Sequence, residues 1–188
     1  MRPLAIVFAR APRLGCVKRR LAAGIGDRAA WRLYRAMLAR TLRLLAADRR
    51  FETIVAVTPP AARGPWLQGL ATVDQAEGDL AARMGGAFAR FPRRDVAIVG
   101  SDIPAITAGD VAGAFAALGR AQAAFGPASD GGYWLVAMGP RRPHRPFARV
   151  RWSSADALAD TLVNFRNRKV ALVRTLSDLD TAADLPIR

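Results

Sequence analysis

The sequence predicts an α/β fold, a single domain with a mostly parallel sheet covered by helices on both faces. Strand-like apolar runs alternate along the chain with segments whose apolar residues recur at helical spacing. The strand-like runs are continuous and do not alternate with polar residues, which is typical of strands buried on both faces. No repeat or clear linker interrupts the order, so one domain over residues 1–188 is expected.

Seven strands are expected from the apolar runs that end near turn-forming residues. They cover residues 4–9, 53–58, 71–74, 96–100, 123–125, 133–138 and 170–176. In a mostly parallel sheet, ligands bind outside the carboxyl ends of the strands. Residues that directly follow these runs are therefore the first candidates for a functional site.

Helices are expected between the strands, each with a recognisable start. One begins near Lys18, and a long one over residues 27–48 has Asp27 as its N-cap. Asp79 is the expected N-cap of a helix that reaches residue 91. Capping boxes, in which Ser or Thr precedes an acidic residue by three positions, are expected at residues 107–110, 153–156 and 181–184.

The composition narrows the chemistry that the chain can perform. Cys16 and His144 are the only residues of their types, which argues against a zinc site and a Cys/His nucleophile. The only glutamates are Glu52 and Glu77, so acid–base chemistry would fall on aspartates. The apolar run at residues 4–9 is too short for a membrane span, and a soluble cytoplasmic protein is expected.

The net charge of +14 is compatible with two kinds of partner. It could attract phosphate-rich molecules, including nucleic acid, or it could be a solvated basic surface. Aromatic residues make up only 7% of the chain, and no nucleic-acid module is recognisable. No nucleic-acid partner is therefore expected, although a basic loop over residues 140–151 could bind an anionic acceptor or a membrane surface.

Asp102 is the first candidate site residue. It follows the run VAIVG at residues 96–100, so it lies where a ligand of the sheet would lie. It could be an ordinary turn residue, since Asp before Pro often bonds local backbone. It could also bind a hard divalent cation, because Mg²⁺ is usually held by one or two carboxylates together with substrate phosphates.

The segment GPASDGGYWLVAM at residues 126–138 gives a second candidate site. Asp130, Gly131 and Gly132 form a turn signal between two apolar runs, as in a hairpin. The same residues would let backbone approach a ligand while presenting one carboxylate. Tyr133 and Trp134 add a hydroxyl and flat surfaces, which makes substrate recognition plausible.

A loop over residues 9–22 gives the third candidate. It leads from a strand into the helix near Lys18 and contains five cations, Arg10, Arg13, Lys18, Arg19 and Arg20. Backbone N–H groups, a helix dipole and cations together favour phosphate binding. The spacing matches neither the P-loop nor G-x-G-x-x-G, and a simple basic loop is the alternative. The chemistry that fits all three segments is metal-assisted transfer at a phosphate.

Taken together, six motifs resemble a known family. They are APRLGCVKRRLA, QAEGDLAARM, VGSDIP, GPASDGGYWLVAM, RWSSADAL and LSDLDTAADL, in that order along nearly the whole chain. They are similar to motifs of the bacterial glycosyltransferase-like proteins called radical-SAM/selenodomain-associated transferases. Those proteins belong to the nucleotide-diphospho-sugar transferase (GT-A) superfamily, which also contains nucleotidyltransferases.

The resemblance implies a GT-A fold and assigns roles to individual residues. Nucleotide binding would fall on Arg10, Gly15, Lys18, Arg20, Asp79 and Arg83. Acceptor binding would fall on Asp130, Gly131, Gly132, Tyr133 and Trp152. The metal, Mg²⁺ or Mn²⁺, would be held by Asp102, and the catalytic residues would be Asp102, Asp130 and Lys18. Three positions depart from the family pattern: Arg10 replaces lysine, Arg19 replaces threonine and Ala81 replaces glycine.

The expected function is therefore that of a metal-dependent transferase with a nucleotide-activated donor and a small-molecule acceptor. A glycosyltransferase would break the bond between a sugar and a nucleoside diphosphate. A nucleotidyltransferase would instead transfer a nucleoside monophosphate from a nucleoside triphosphate to a small phosphorylated acceptor. A non-catalytic binder of nucleotides or nucleic acid is a third interpretation, and the sequence does not decide among them.

Overall fold

A computed structural model describes residues 1–185 and contains one seven-stranded sheet. Its strands are β1 (Leu4–Arg10), β2 (Glu52–Thr58), β3 (Thr72–Asp74), β4 (Val96–Gly100), β5 (Ala123–Pro127), β6 (Tyr133–Met138) and β7 (Val170–Leu172). The strand order is β3-β2-β1-β4-β6-β5-β7. Only β6 is antiparallel to its neighbours, β4 and β5, and the other four pairings are parallel. The predicted α/β fold with a mostly parallel sheet is confirmed.

Five α-helices cover the two faces of the sheet. They are α1 (Arg19–Ile25), α2 (Asp27–Ala46), α3 (Leu80–Ala89), α4 (Ala108–Ala117) and α5 (Ala157–Val163). On one face, α2 and α4 pack against alternate strand residues such as Val7 and Val99. On the other face, α3 and α5 pack against Leu4, Ile6 and Ile98. The central strands are therefore buried on both sides, which explains why their sequences are continuously apolar.

Most of the expected helix starts are confirmed, and two are wrong. Gly26 and not Asp27 is the N-cap of α2, because Asp27 is already the first residue of the helix. The Asp79 carboxylate accepts a hydrogen bond from the Ala82 amide at 2.8 Å, and the boxes at residues 107–110 and 181–184 form. The box expected at residues 153–156 does not form. Ser153 has a left-handed backbone with φ of 59°, and Ser154 donates its hydroxyl to the Arg151 carbonyl instead. Helix α5 therefore begins only at Ala157.

The last strand is shorter than expected, because β7 ends at Leu172 and not at residue 176. Beyond it the chain still follows β5, since the Val173 amide donates to Phe125 and the Leu176 amide donates to Pro127. This irregular pairing carries the chain toward the carboxyl ends of the strands. No helix within residues 1–185 is long and apolar enough to cross a membrane.

Two of the five arginines in the basic loop at residues 140–151 have structural roles. The Arg142 guanidinium donates to the carbonyls of Phe88, Phe91 and Arg94, which lie at the end of α3. Burial lowers the pKa of Arg142, and its donors add to the backbone hydrogen bonds that Phe88 and Phe91 already accept and supply a donor for the Arg94 carbonyl. Arg151 pairs with two carboxylates next to α5, Asp156 and Asp160. These two side chains are occupied within the fold and are not free to bind another molecule.

Replacing Arg142 should destabilise the fold. The change Arg142→Ala removes three side-chain hydrogen bonds and leaves the Arg94 carbonyl without its donor, and we expect the free energy of unfolding to fall by about 2 kcal/mol. Urea denaturation followed by circular dichroism measures this change. Arg145→Ala is the matched control, because Arg145 is exposed in the same loop and should cost less than about 0.5 kcal/mol. Equal effects of the two changes would contradict the role given to Arg142.

Candidate functional site

Two adjoining cavities open at the edge of the sheet where β1, β2, β4 and β5 have their carboxyl ends. Strand β6 runs the other way, so its first residue, Tyr133, lies at the same edge. One cavity has a volume of about 540 Å³ and is called here the cationic cavity. The other has a volume of about 230 Å³ and is called the apolar chamber. Their walls share Asp102 with Phe8, Leu80, Gly100 and Ser153.

The cationic cavity takes its name from the five basic side chains in its wall. These are Arg10, Lys18, Arg19, Arg20 and Arg83. Four of them come from the end of β1 and the start of α1, and the fifth comes from α3. The only carboxylates in this wall are Asp102 and Asp180. The cavity therefore has an excess of positive charge and is suited to an anionic ligand.

An ion pair joins the loop before α1 to the end of β4. The Lys18 ammonium lies 2.5 Å from the Asp102 carboxylate and 3.6 Å from that of Asp180. Only 7% of the Lys18 side chain is exposed, so the charge needs these partners. Lys18 also has a left-handed backbone with φ of 47°. Such a conformation costs a non-glycine residue about 1–3 kcal/mol and is common at ligand sites.

The floor of the cationic cavity is built by Gln75, which is buried at the end of β3. Its amide nitrogen donates to the Ala56 carbonyl at 2.8 Å, and its amide oxygen accepts from the Arg83 guanidinium. The Gln75 amide is thereby occupied, and it fixes the guanidinium of Arg83 in the wall. The pKa of Arg83 is lowered mainly by burial and further by the charge of Arg10.

Neither Arg10 nor Arg83 forms a salt bridge with a carboxylate within residues 1–185. Two like charges therefore face one cavity without a counter-charge. An anion that entered between them would relieve their mutual repulsion. The repulsion thus identifies the part of the cavity that an anionic group would occupy.

The apolar chamber has different walls. The rings of Tyr133 and Trp152 meet edge to face with centroids 6.3 Å apart, and Met84 and Ile103 belong to the same wall. Burial raises the pKa of Tyr133 above its ordinary range, so its hydroxyl stays protonated. Three carboxylates, Asp102, Asp130 and Asp178, are the charged groups of this wall. Asp130 also accepts a hydrogen bond from the Gly132 amide at 2.9 Å.

The structure brings most of the sequence-predicted site residues into these two walls. Arg10, Lys18, Arg20, Arg83 and Asp102 line the cationic cavity. Asp102, Asp130, Gly132, Tyr133 and Trp152 line the apolar chamber. The expected phosphate loop and the expected acceptor segment are therefore adjacent, and Asp102 lies between them.

Three predicted ligand residues do not line either cavity. Asp79 is exposed and caps α3, so its assignment to nucleotide binding is replaced by a structural role. Gly131 has φ of 87°, and a Cβ there would overlap the carbonyl of Ala155. It is needed for that close approach and not for contact with an acceptor. Gly15 also has positive φ, at 74°, and its carbonyl accepts from Arg19 within the loop.

Sequence reasoning missed Gln75, Asp178 and Asp180 as site residues. Asp178 and Asp180 are the first two of the three aspartates in the closing motif LSDLDTAADL, and their spacing is the signal that could have identified them. The Leu179 amide donates to the Asp102 carbonyl at 3.1 Å, which places both aspartates beside the end of β4. Within residues 1–185, no group of three or more His, Cys, Asp or Glu side chains is close enough to form a complete metal site.

The ionised carboxylate of Asp178 should lower the free energy of unfolding by an amount that depends on pH. Burial raises its pKa, and the charges of Asp102 and Asp130 raise it further. The unfolded chain therefore loses this proton at lower pH than the folded chain does. The resulting destabilisation begins near pH 4, the ordinary aspartate value, and is complete above the raised pKa.

We therefore expect Asp178→Asn to increase the free energy of unfolding at pH 7, by roughly 0.5 kcal/mol after solvent screening. The gain should vanish below pH 4, where Asp178 is protonated in both states. Urea denaturation of the wild type and the variant between pH 3.5 and about 7 measures it. The control is Glu77→Gln, an exposed carboxylate without a salt bridge among the described residues. A gain that is independent of pH would contradict the electrostatic explanation.

Solved structures with the same fold are known. A protein from Desulfovibrio desulfuricans described as a nucleotide-diphospho-sugar transferase is 31% identical, with a TM-score of 0.87 over 96% of this chain and 84% of that one. A cytidylyltransferase from Leptospira borgpetersenii is 12% identical, with a TM-score of 0.63 over 98% and 84% of the two chains. A 4-diphosphocytidyl-2C-methyl-D-erythritol synthase from Anaerococcus prevotii is 12% identical, with a TM-score of 0.59 over 97% and 94%.

Sequence comparison agrees with the structural likeness at the level of a family. No curated protein matches the chain significantly. The model of the family DUF2064, described as an uncharacterized protein conserved in bacteria, matches residues 41–154. That range contains the Gln75–Arg83 segment and Asp102. It also contains the β5–β6 hairpin, which contributes Asp130, Gly132 and Tyr133 to the wall of the apolar chamber. The chain thus belongs to the DUF2064 family and has the fold of the nucleotide-diphospho-sugar transferases.

Proposed function

We propose that the protein is a metal-dependent glycosyltransferase that uses a nucleotide-diphospho-sugar. The observation that carries the proposal is the meeting of two unlike cavities at Asp102. A transferase must hold an anionic donor and an acceptor side by side, with the reacting atoms at the boundary. The likeness to the Desulfovibrio desulfuricans protein, at 31% identity, supports the same kind of donor.

The donor diphosphate would lie in the cationic cavity. Arg10 and Arg83 have no carboxylate partners there, and they would contact the anionic groups directly. Lys18 is held at the boundary by Asp102 and Asp180, which positions it near the phosphate that leaves. Its charge would stabilise the negative charge that develops on that phosphate, and Arg20 would add to the field.

A divalent cation fits beside Asp102. The carboxylates of Asp102 and Asp180 both contact the Lys18 ammonium, at 2.5 and 3.6 Å, and they would hold a small ion together with the donor phosphates. The donor phosphates would complete the coordination of the ion. The ion would neutralise the diphosphate, and this chain would supply the positioning.

The acceptor would enter the apolar chamber with its hydroxyl toward Asp102. Asp178 is the better proton acceptor of the two remaining carboxylates, because its raised pKa suits a general base. Asp130 would orient the hydroxyl, since one of its oxygens is already held by the Gly132 amide. The acceptor oxygen would form a bond to the sugar carbon that carries the diphosphate. The bond between that carbon and the phosphate oxygen would break, and the nucleoside diphosphate would leave.

A second candidate is nucleotidyl transfer. The wall of the cationic cavity contains five cations and two carboxylates, and this excess of positive charge would also suit the triphosphate of a nucleoside triphosphate. In that reaction the acceptor attacks the α-phosphate and pyrophosphate leaves. The two reactions therefore differ in the released product, which an assay can identify directly.

Three finer assignments are part of the proposal. The six motifs in order support membership in the radical-SAM/selenodomain-associated subgroup. The single sheet supports one domain. The lone cysteine, Cys16, agrees with a reducing compartment such as the cytoplasm.

Metal-dependent donor binding should require Asp102. A thermal-shift screen with UDP-sugars, GDP-sugars and the four nucleoside triphosphates, with and without Mn²⁺, should find one class that stabilises the protein only with metal. Asp102→Ala should abolish the metal-dependent shift. Asp95→Ala is the control, because Asp95 lies at the opposite end of the same strand, immediately before β4. Intact metal-dependent binding by Asp102→Ala would overturn the metal assignment.

The product released on incubation with the stabilising donor separates the two reactions. We expect a nucleoside diphosphate, detected by anion-exchange chromatography, from a nucleotide-diphospho-sugar. Release of pyrophosphate from a nucleoside triphosphate would replace glycosyl transfer with nucleotidyl transfer. Binding without either product, but with affinity for DNA at high salt, would favour a non-catalytic binder.

Arg83→Met should weaken donor binding by about 10- to 100-fold, because it removes a partly buried charge-assisted donor. Isothermal titration calorimetry with the donor from the screen measures the change. Arg90→Met is the matched control, since Arg90 is exposed at the other end of α3. Equal affinities of the wild type and Arg83→Met would mean that the donor does not occupy the cationic cavity.

A further inference from the structure

We propose that the acceptor is an alcohol or amine with an apolar body and without a phosphate or carboxylate group. The inference rests on the proposed function and names the acceptor's chemical class. It follows from the composition of the apolar chamber, which lies on the acceptor side of Asp102.

The walls of the chamber are suited to an apolar body. Aromatic and aliphatic side chains come from both the sheet and its covering helices, and they enclose the space on several sides. Among them are Phe8, Met84, Ile103, Tyr133 and Trp152. Removing apolar ligand surface from water here would contribute about 25 cal/mol per Å². A highly hydrated acceptor would lose more on entering than it gained.

The charges of the chamber exclude an anion. Its wall contains the carboxylates of Asp102, Asp130 and Asp178 and, within the described chain, no arginine, lysine or histidine. The five cations of the neighbouring wall face the other cavity. A phosphate or carboxylate in the chamber would therefore be desolvated beside like charges, without a cation to pair with.

The charged hydrogen-bonding groups of the chamber also favour a donor on the acceptor molecule, whereas the hydroxyls of Tyr133 and Ser153 can either donate or accept. The indole N–H of Trp134 is occupied by the Arg174 carbonyl, and the Ser154 hydroxyl by the Arg151 carbonyl. The carboxylates of Asp130 and Asp178 can only accept hydrogen bonds when ionised. Hydroxyl and ammonium groups would satisfy them, and an ammonium group would also offset their charge.

A divalent ion at Asp102 would not reverse this preference. The ion would also contact the donor phosphates, whose negative charge it would offset. Asp130 and Asp178 would keep their charges on the acceptor side. The inference thus contradicts the phosphorylated acceptor that nucleotidyl transfer was expected to use.

Three small molecules with the same hydroxyphenyl body test the inference. They are tyramine, which is cationic, tyrosol, which is neutral, and 3-(4-hydroxyphenyl)propanoate, which is anionic. Saturation-transfer NMR on the wild-type protein, with the donor from the screen and metal present, gives their relative affinities. We expect tyramine to bind at least 10-fold more tightly than the propanoate, with tyrosol between them.

Variants test whether the preference for tyramine over the propanoate comes from the carboxylates of the chamber. Asp130→Asn together with Asp178→Asn should reduce the preference for tyramine over the propanoate to less than about 3-fold, because the repulsion is removed. Asp27→Asn, an exposed carboxylate at the start of α2, should leave the preference unchanged. Trp152→Leu should weaken binding of all three molecules, since each loses the same aromatic contact.

Two results would overturn the inference: propanoate binding as tight as that of tyramine, or no saturation transfer to any of the three. Donor binding, measured by calorimetry on the same samples, separates this failure from that of the proposed function. If the donor binds with metal and the ranking fails, only the acceptor class is wrong. If no nucleotide binds at all, the transferase proposal itself fails, and the acceptor class fails with it.

Discussion

The ion pair between Lys18 and Asp102 is the interaction on which the site depends. It joins residues 84 positions apart in the sequence and forms the boundary between the two cavities. Because the Lys18 side chain is almost fully buried, losing one partner would leave an uncompensated charge in a region of low dielectric. The residue that forms this pair also has a left-handed backbone at the start of α1.

The segment that contains Leu179 and Asp180 is the third part of the site, and several contacts connect it to the Lys18–Asp102 pair. Asp180 reaches both Lys18 and Arg20, and the Leu179 amide donates to the Asp102 carbonyl. Leu179 also packs against Leu21 of α1, so its apolar contact and the ionic contacts act together. The separation of positive and negative walls is thus a consequence of how three distant segments converge at one edge of the sheet.

Much of this arrangement could be predicted from the sequence, because it follows from local patterns. The continuous apolar runs predicted the strands, and the position of Asp102 after one of them predicted its place at the sheet edge. The partner of Asp102 could not be predicted from the residues alone, because no local pattern connects positions 18 and 102. Asp178 and Asp180 were missed although they follow the strand predicted at residues 170–176. In the structure that strand ends at Leu172, and an irregular segment carries the chain on to the two aspartates.

For Gly131 and Asp79, the sequence suggested contact with a ligand where the structure shows a structural role. Each belongs to a motif that suggests ligand binding, but each is required by the backbone or by a neighbouring segment. For Gly131, the close approach of Ala155 shows that glycine is required by the fold itself, and that contact depends on the tertiary structure. A motif therefore identified the correct region in both cases without identifying which of its residues face the cavity.

The net charge of +14 gives a misleading impression of the surface that is available to a polyanion. Arg94 and Arg142 direct their guanidinium groups to backbone carbonyls, and Arg151 is paired with carboxylates. Arginine serves here as a polar connector, because its five N–H donors can satisfy several carbonyls at once. The cations that matter for a ligand are those with no such use, and Arg10 and Arg83 are two of them in the wall of a single cavity. Their position, more than the total charge, identifies where an anionic ligand would bind.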